Sequence, residues 1–536
     1  MPLRLPAAAA ILLIAVLTFY YPGHTWLHSD TQIYAPIMDR QLDGTLFRNE
    51  LITQHPHVSF TLYDEITWVI RKVTGVDLYW ALKLQQAVVR TAQAAGFYLL
   101  AAALGMNPVA AVVTAAALSL GGTILGPSVL TIEYEPVPRG FAVGLLVLGM
   151  GLVAHRRHRA AGLALAGSLM YHPPTLAPVL LILLLWAWFH RRNALWPVVV
   201  PVAVMTLIVL AAAKLQSTES PGFFSLLPVD AEELQRKRAS YNWVSIWWRT
   251  WWSQHAGLWV LGLLAVGRLW RGLDPFWRWL LVGLPTVGIL TMPLSYGLLE
   301  GLKWGLIPQF QPMRALLFVT LMPLLAACVA GTRAASAGRV VEAFAWFVPV
   351  YWIPANVRLW QVPTGDRLVL IAALAAFSAW SLWMLAKRHW VALAVLAALL
   401  PFYAIPRIAG GRQWSKLITP ELTQLAEWAN HTTPKDAVFV FPTARQDLAP
   451  GIFRAGSKRA LYVDWKGGGQ VNYFVSLGRE WWRRYQDVMV KPDPSRPLSW
   501  YAERKIDFIV LGAAERRADG QTAYENPKYL VYPTHP

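Results

Sequence analysis

Residues 24–35, HTWLHSDTQIYA, follow the apolar run AAAAILLIAVLTFYY with only PG between them. His24, His28, Ser29 and Asp30 therefore stand at the mouth of a hydrophobic segment, where an acid can take a proton, hold a cation or start a helix. Ser29 and Gln32 have capping-box spacing, and acids are favoured in a first helical turn. A helix start keeps Asp30 ionised, which weakens it as a base and favours orienting a hydrogen bond or a cation. His55 and His57 lie further along the same loop, ahead of the acidic doublet Asp64 and Glu65.

Four other stretches place polar groups among apolar residues. In KLQQAVVRTAQAAG, Lys83, Gln86, Arg90 and Gln93 are spaced three, four and three apart, so they share one helical face. A charge at mid-membrane costs at least a few kcal/mol unless it faces protein or water, so this face is expected to line a cavity. The alternative is a Lys83 that snorkels outward and an Arg90 held in a structural ion pair. SVLTIEYEPVPRGF carries Glu133, Glu135 and Arg139 around Pro136 and Pro138; an arginine here can hold a phosphate while an acid addresses a hydroxyl or a metal. A solvated loop with Arg139 anchoring a helix end is the other reading.

The segment from RRHR to FHRR has basic clusters on both flanks of about 30 apolar residues, which is long for one span and short for two. A broken pair with YHPP at its turn accommodates both, because Pro173 and Pro174 stop a helix. Irregular backbone at membrane depth is tolerated beside protein or a wet cavity, which makes His172 a candidate. Finally, GLKWGLIPQFQPMRALLF sets Gln309, Gln311 and Arg314 at the start of an apolar helix.

The elements that must position these groups follow from composition. The chain has 536 residues, 56% hydrophobic, 15% charged, with 28 Trp. That is too apolar for an ordinary soluble protein and points to a polytopic α-helical membrane protein. Apolar windows fall near 6–21, 84–104, 108–127, 139–154, 160–172, 174–190, 195–215, 256–270, 277–294, 313–331, 340–354, 367–386 and 389–405, about 13 spans. Arg4, Arg156, Arg157, Arg159, Arg191, Arg192, Arg268, Arg271, Arg278, Arg333, Arg339, Lys387 and Arg388 then share one face, which the positive-inside rule makes cytoplasmic. This distribution accounts for the net charge of +18 without nucleic acid. The N-terminus is expected inside, and the long loop 22–83, the loop 216–255 and the tail outside. In a bacterium with an outer membrane that side is the periplasm. The loop stretch 230–252, basic and rich in Trp, suits a helix lying against lipid headgroups. The single cysteine, Cys328, excludes an intrachain disulfide.

Residues 1–411 thus form the membrane domain, and 412–536 a small periplasmic α/β domain. In the tail, PELTQLAEWANHTTPKD and FVSLGREWWRRYQDV have helical spacing, while AVFVFP, ALYVDW, KIDFIVLG and YLVYP read as strands. No stretch of this tail carries a motif assignable to chemistry.

HSDTQIYAPIMDRQLDG, EYEPVPR, MYHPP and QFQPMR, set in this topology, resemble the GT-C class of integral membrane glycosyltransferases across most of residues 1–405. The resemblance implies transfer of a sugar from a polyprenyl-phosphate lipid donor to a glycan, lipid or protein acceptor on the outer face of the inner membrane, with inversion. It makes Asp30 the base or a metal contact, although no second acid adjoins it, so a divalent cation is a possible cofactor and not a certain one. It makes Arg139, Arg314 and Arg90 the contacts to the leaving phosphate. Glu133, Glu135, His55, His57, His172 and Gln311 fall to the acceptor or the sugar. Two other classes fit the polar stripe and broken helices: a lipid-linked oligosaccharide flippase or small-solute transporter, and a noncatalytic envelope assembly protein.

Overall fold

The computed structural model describes residues 5–535 apart from 56, 59, 123, 125, 128–129, 191–194, 217–221, 357–358, 386–414 and 491. Helices α1 (Leu5–Leu17), α2 (Thr31–Leu42), α3 (Tyr63–Thr74), α4 (Leu78–Ala103), α5 (Pro108–Ser119), α6 (Pro138–Ala154), α7 (His158–Tyr171), α8 (Pro173–His190) and α9 (Trp196–Gln216) come first. They are followed by α10 (Val229–Arg238), α11 (Arg249–Leu269), α12 (Pro275–Ser295), α13 (Ile307–Phe310), α14 (Leu317–Ser336), α15 (Val340–Ala355) and α16 (Gly365–Leu385).

Helices occupy every expected apolar window up to 367–386; the last, 389–405, lies outside the described residues. Among the described residues, five helices are long and apolar enough to cross a membrane: Pro173–His190, Trp196–Gln216, Pro275–Gly301, Ile307–Ser336 and Gly365–Met384. The window expected at 108–127 is shorter than read. Helix α5 ends at Ser119 after 12 residues, or about 18 Å against a hydrocarbon core of about 30 Å. Gly121, at φ +75°, takes the backbone out of the helix. The expected break at YHPP is present: α7 ends at Tyr171, His172 is non-helical, and α8 starts on Pro173.

Burial explains the arrangement. The apolar window of the Ile307–Ser336 segment is wholly enclosed, and α11, α12, α15 and α16 pack around α14. Helices α4 and α6 approach closely through small residues: a Cβ on Gly144 would sit 2.3 Å from the Val89 side chain, and one on Gly96 2.5 Å from the backbone of Leu148. Between apolar helices such contact supplies dispersion where no hydrophobic force exists.

The C-terminal part is a five-stranded mixed sheet in the order β2-β1-β3-β5-β4. Strands β1 (Val438–Val440), β2 (Ala460–Leu461) and β3 (Phe508–Gly512) run parallel, and β5 (Tyr529–Pro533) is antiparallel to β3 and to β4 (Tyr524–Glu525). The four strands read from sequence are β1, β2, β3 and β5. Strand β4, as short as β2, is not among them because it lies in QTAYENP, which has no run of β-branched or aromatic residues, whereas β2 lies in ALYVDW. The helices Pro420–Thr432 and Ala449–Ser457 pack on one another beside the sheet.

This α/β unit is fastened to the first loop by buried charge. Arg454, fully enclosed, pairs with Asp464 at 2.8 Å and Glu50 at 3.4 Å, and donates to the Gln32 carbonyl at 2.9 Å. Gly451 lies so close to Gln32 that an added Cβ would collide with its amide. Lys458 pairs with Asp39 of α2, which Arg71 of α3 also holds at 3.1 Å. Replacing Arg454 by Met leaves Glu50 and Asp464 buried without their counter-charge. We expect Arg454→Met to lose roughly 3–5 kcal/mol of stability, read as a lowered melting temperature in detergent; an unchanged melt would show that the pair does not hold the units together.

Candidate functional site

Helix α2 begins at Thr31, with Asp30 in the N-cap position. Its unpaired N–H groups are met by a distant residue. Glu135 accepts from Ser29 N at 2.8 Å, Asp30 N at 3.0 Å and Thr31 N at 3.4 Å, and from the Thr31 hydroxyl. The capping box expected from Ser29 and Gln32 does not form, because Gln32 donates to the Leu27 carbonyl. With a carboxylate from residue 135 at the helix start, the Asp30 side chain takes no bond from α2 and turns elsewhere.

Both Asp30 oxygens face cations. Arg139 Nη1 lies 2.8 Å from Oδ2 and Lys466 Nζ 2.6 Å from Oδ1. Lys466 also donates to Ser29 Oγ at 2.7 Å. Glu133 in turn pairs with Arg139. Burial pushes the Asp30 carboxyl up, but the charges of Lys466 and then Arg139 prevail and hold it well below the usual carboxylate range. Glu135 moves the other way, raised first by burial and then by the charge of Asp30.

Lys466 opens the sequence KGGGQ. A Cβ on Gly468 would come within 2.4 Å of the Trp481 ring, and one on Gly469 within 2.7 Å of Ile33, so glycine permits this turn to lie against both. Asp464, held by Arg454, accepts from the Gly467 N–H at 3.1 Å and sets the turn's start.

Ser29, Asp30, Arg139, Lys466 and Gly469 line a cavity of about 250 Å³, just below the range of about 300–1,000 Å³ usual for ligand pockets. Its wall includes Tyr34, Val58, Thr61, His172, Arg238, Tyr241, Gln311, Arg314, Gln470 and Tyr473. Gln311 has a left-handed backbone, φ +43°, unusual without glycine. Its Oε1 accepts from Arg314 Nε at 2.9 Å, while Arg314 Nη1 donates to the Pro127 carbonyl at 2.8 Å. His172 Nδ1 is 2.7 Å from Thr175 Oγ1. Arg238 donates to the Trp465 carbonyl at 3.1 Å and stacks on that ring.

The structure therefore brings Asp30, Arg139, His172, Gln311 and Arg314 together, and leaves other sequence candidates outside the cavity wall. Arg90 is buried and donates to the carbonyls of Thr18, Gly23 and Glu133 at 2.7–2.8 Å. The stripe it belongs to faces protein backbone instead of a cavity: Gln86 reaches the carbonyls of Glu133 and Tyr134, and Gln93 that of Thr131. Lys83 extends to the Tyr79 hydroxyl and over the Trp80 ring, as in snorkelling. Glu133 and Glu135 stand behind Arg139 and Asp30. His55 stacks on Phe474 with ring centroids 4.0 Å apart. His57 sits with Asp64 and Glu65, whose hydrogen bonds push it up to about 9.

Lys466, Arg238, Tyr241, Gln470 and Tyr473 were not singled out from sequence. The glycine triplet after Lys466 was the available signal. Within the stretch 230–252, helix α10 packs on the C-terminal unit, with Gln235 donating to the Val471 carbonyl at 3.3 Å and Arg479 to Asp230 at 3.1 Å, while Trp248 further along stays exposed.

A divalent cation at Asp30 does not suit this donor set. Asp30 is the one carboxylate among the described lining residues, against Arg139, Arg238, Arg314 and Lys466. Its two oxygens already hold positive charge, and a cation brought there would meet repulsion from both sides.

A family model described as Domain of unknown function (DUF6798) matches residues 420–488. Comparison with curated proteins gives no match. Among solved structures, the chain is similar to the crystal structure of ArnT from Cupriavidus metallidurans in the apo state, with 12% identity, a TM-score of 0.51, and coverage of 98% of this chain and 97% of that one. It is similar also to ArnT from the same organism bound to undecaprenyl phosphate, with 14% identity, a TM-score of 0.50 and the same coverage. The fold is ArnT-like over nearly the whole of both chains, in keeping with the GT-C-like architecture that the motifs resemble.

Glu135→Gln replaces one accepting oxygen of the cap by an amide that donates, leaving either the Asp30 N–H or those of Ser29 and Thr31 without an acceptor. We expect a loss of about 1–3 kcal/mol in thermal or denaturant unfolding; a neutral result would mean the helix start finds other acceptors.

Proposed function

We propose that the chain is a membrane glycosyltransferase that moves a sugar from a polyprenyl-phosphate donor to an acceptor hydroxyl. The observation that carries this reading is the cavity itself, where one ionised carboxylate stands among four cationic side chains. A base for a hydroxyl and a cradle for a departing phosphate are the two requirements of displacement at a sugar carbon bonded to phosphate. Support for the lipid donor comes from the ArnT structure bound to undecaprenyl phosphate. The setting is a bacterial inner membrane crossed about 13 times, with the N-terminus cytoplasmic and the cavity and C-terminal unit on the periplasmic side.

In this reaction the acceptor oxygen forms a bond to the anomeric carbon as the carbon–oxygen bond to phosphate breaks, and the configuration inverts. The acceptor proton passes to Asp30. The electron pair leaves with the polyprenyl phosphate, whose charge Arg139, Arg314, Lys466 and Arg238 stabilise. His172 and Gln311 take sugar hydroxyls, while Glu133 and Glu135 act at one remove by orienting Arg139 and the α2 start. With both oxygens in ion pairs, Asp30 is a weak base. A donor phosphate competes for the same cations; as Lys466 turns to it, the Asp30 carboxylate gains basicity when the substrate is in place.

Incubating the protein in proteoliposomes with radiolabelled polyprenyl-phosphate sugars and candidate acceptors tests this. We expect Asp30→Asn to lower transfer about 10²- to 10⁴-fold; transfer at the wild-type rate would remove Asp30 as base, and labelled lipid that crosses the bilayer without a glycosylated product would favour a flippase.

The pH profile supplies a second check. Because its carboxyl is held low, Asp30 loses its charge only below the ordinary aspartate value of about 3.9. The acid limb of kcat/KM should therefore lie at least that low, and Lys466→Met, which removes the larger of the two opposing charges, should shift it to higher pH. A limb that stays in place in Lys466→Met would separate Lys466 from the base.

A further inference from the structure

His57, Asp64 and Glu65 meet where the loop before α3 enters its first turn, and Gln216 reaches them from the end of α9. His57 Nδ1 is 3.3 Å from Asp64 Oδ2 and 3.3 Å from Glu65 Oε1. Two bonds of about 2.0–2.1 Å to a tetrahedral zinc ion hold their ligand atoms about 3.3 Å apart. The ligand atoms of the three residues lie within 4.8 Å of one another.

The cluster also has more acceptor capacity than its donors fill. Asp64 is fully buried, yet its Oδ1 has no hydrogen-bond partner among the described residues, and the same holds for the buried Glu65 Oε2 and Gln216 Oε1. A buried carboxylate oxygen left without a donor is costly, and two adjacent carboxylates repel one another. The Gln216 amide nitrogen already touches Glu65, so a turn of that amide presents Oε1 as a further ligand. Gln41 Nε2 donates to Asp64 Oδ2 and lies 3.1 Å from His57 Nδ1, so it fills the junction of the two ligand atoms and turns aside when an ion enters.

We propose that His57, Asp64 and Glu65, with Gln216 Oε1, bind a divalent cation of the zinc class. One imidazole with oxygen ligands suits zinc better than magnesium or calcium, which favour oxygen alone. The role is structural. The ion joins α3 to the end of α9 and fixes His57 next to Val58, which faces the cavity. The inference stands on this cluster and is independent of the reaction proposed for the cavity.

The test uses the full chain in detergent, freed of any affinity tag and of metal by chelation, then titrated with zinc sulfate by calorimetry and assayed for bound zinc. We expect one equivalent, binding at least tenfold weaker in His57→Gln and in Glu65→Gln, unchanged in Asp30→Asn, and not displaced by millimolar magnesium. Zinc should raise the melting temperature of the wild type and not of His57→Gln. Glu65→Gln, at a partly exposed position, keeps the test open if the His57 variant does not fold. Absence of zinc binding in the wild type, binding of wild-type strength in both cluster variants, or loss of binding in Asp30→Asn would each overturn the proposal.

Discussion

A single carboxylate held from both sides organises this protein. Arg139 comes to Asp30 from the start of α6, and Lys466 from the C-terminal unit, 436 residues away. In surroundings of low dielectric such a group is tolerable only when paired and hydrogen-bonded, and removing one partner costs more than the pair contributes. The requirement therefore propagates: Glu133 accompanies Arg139, Ser29 accompanies Lys466, and Glu135 closes the helix start that holds Asp30 in place. The same arrangement sets its chemistry. An acid flanked by two cations stays ionised but gives little pull on a proton until something anionic draws a cation away.

The C-terminal unit is part of that site by construction. Arg454 binds Asp464, Asp464 receives the Gly467 N–H, and the turn so begun presents Lys466 to Asp30. Glu50, from the first loop, closes the other side of Arg454 and also accepts from the backbone of Leu461 in β2. One continuous set of buried charges thus docks the sheet and brings Lys466, one of the four cationic side chains lining the cavity, from the C-terminal unit.

Sequence reasoning found those site residues whose surroundings made them conspicuous. Arg314 and Arg139 stand at the ends of apolar helices, His172 directly before two prolines, and Asp30 at the end of an apolar run. In each place a polar group is costly enough to demand a reason. The same logic pointed to Arg90 without saying what it pairs with, and the structure gives it backbone carbonyls. Ser29 and Gln32 have the spacing of a capping box, but a remote glutamate outcompetes a local amide for the N–H groups at the helix start. Lys466 and Tyr473 lie in a stretch of ordinary soluble character, where a charge or a tyrosine is unremarked, and Arg238 lies in the basic, Trp-rich stretch 230–252, where its charge reads as a lipid contact. Only the crowding of three glycines against Trp481 and Ile33 sets KGGG apart, and that crowding exists in three dimensions.

From the residues alone come the apolar helices, the break at YHPP and the strands β1, β2, β3 and β5 of the tail, because each depends on local periodicity or on a proline's missing donor. Which charges meet was decided by the tertiary structure. Coulomb energy depends on separation and burial, and neither Lys466 beside Asp30 nor Arg454 between Glu50 and Asp464 has a trace in sequence distance. The chain's order made Asp30 a candidate; the packing of the C-terminal unit made it one acid among four cations.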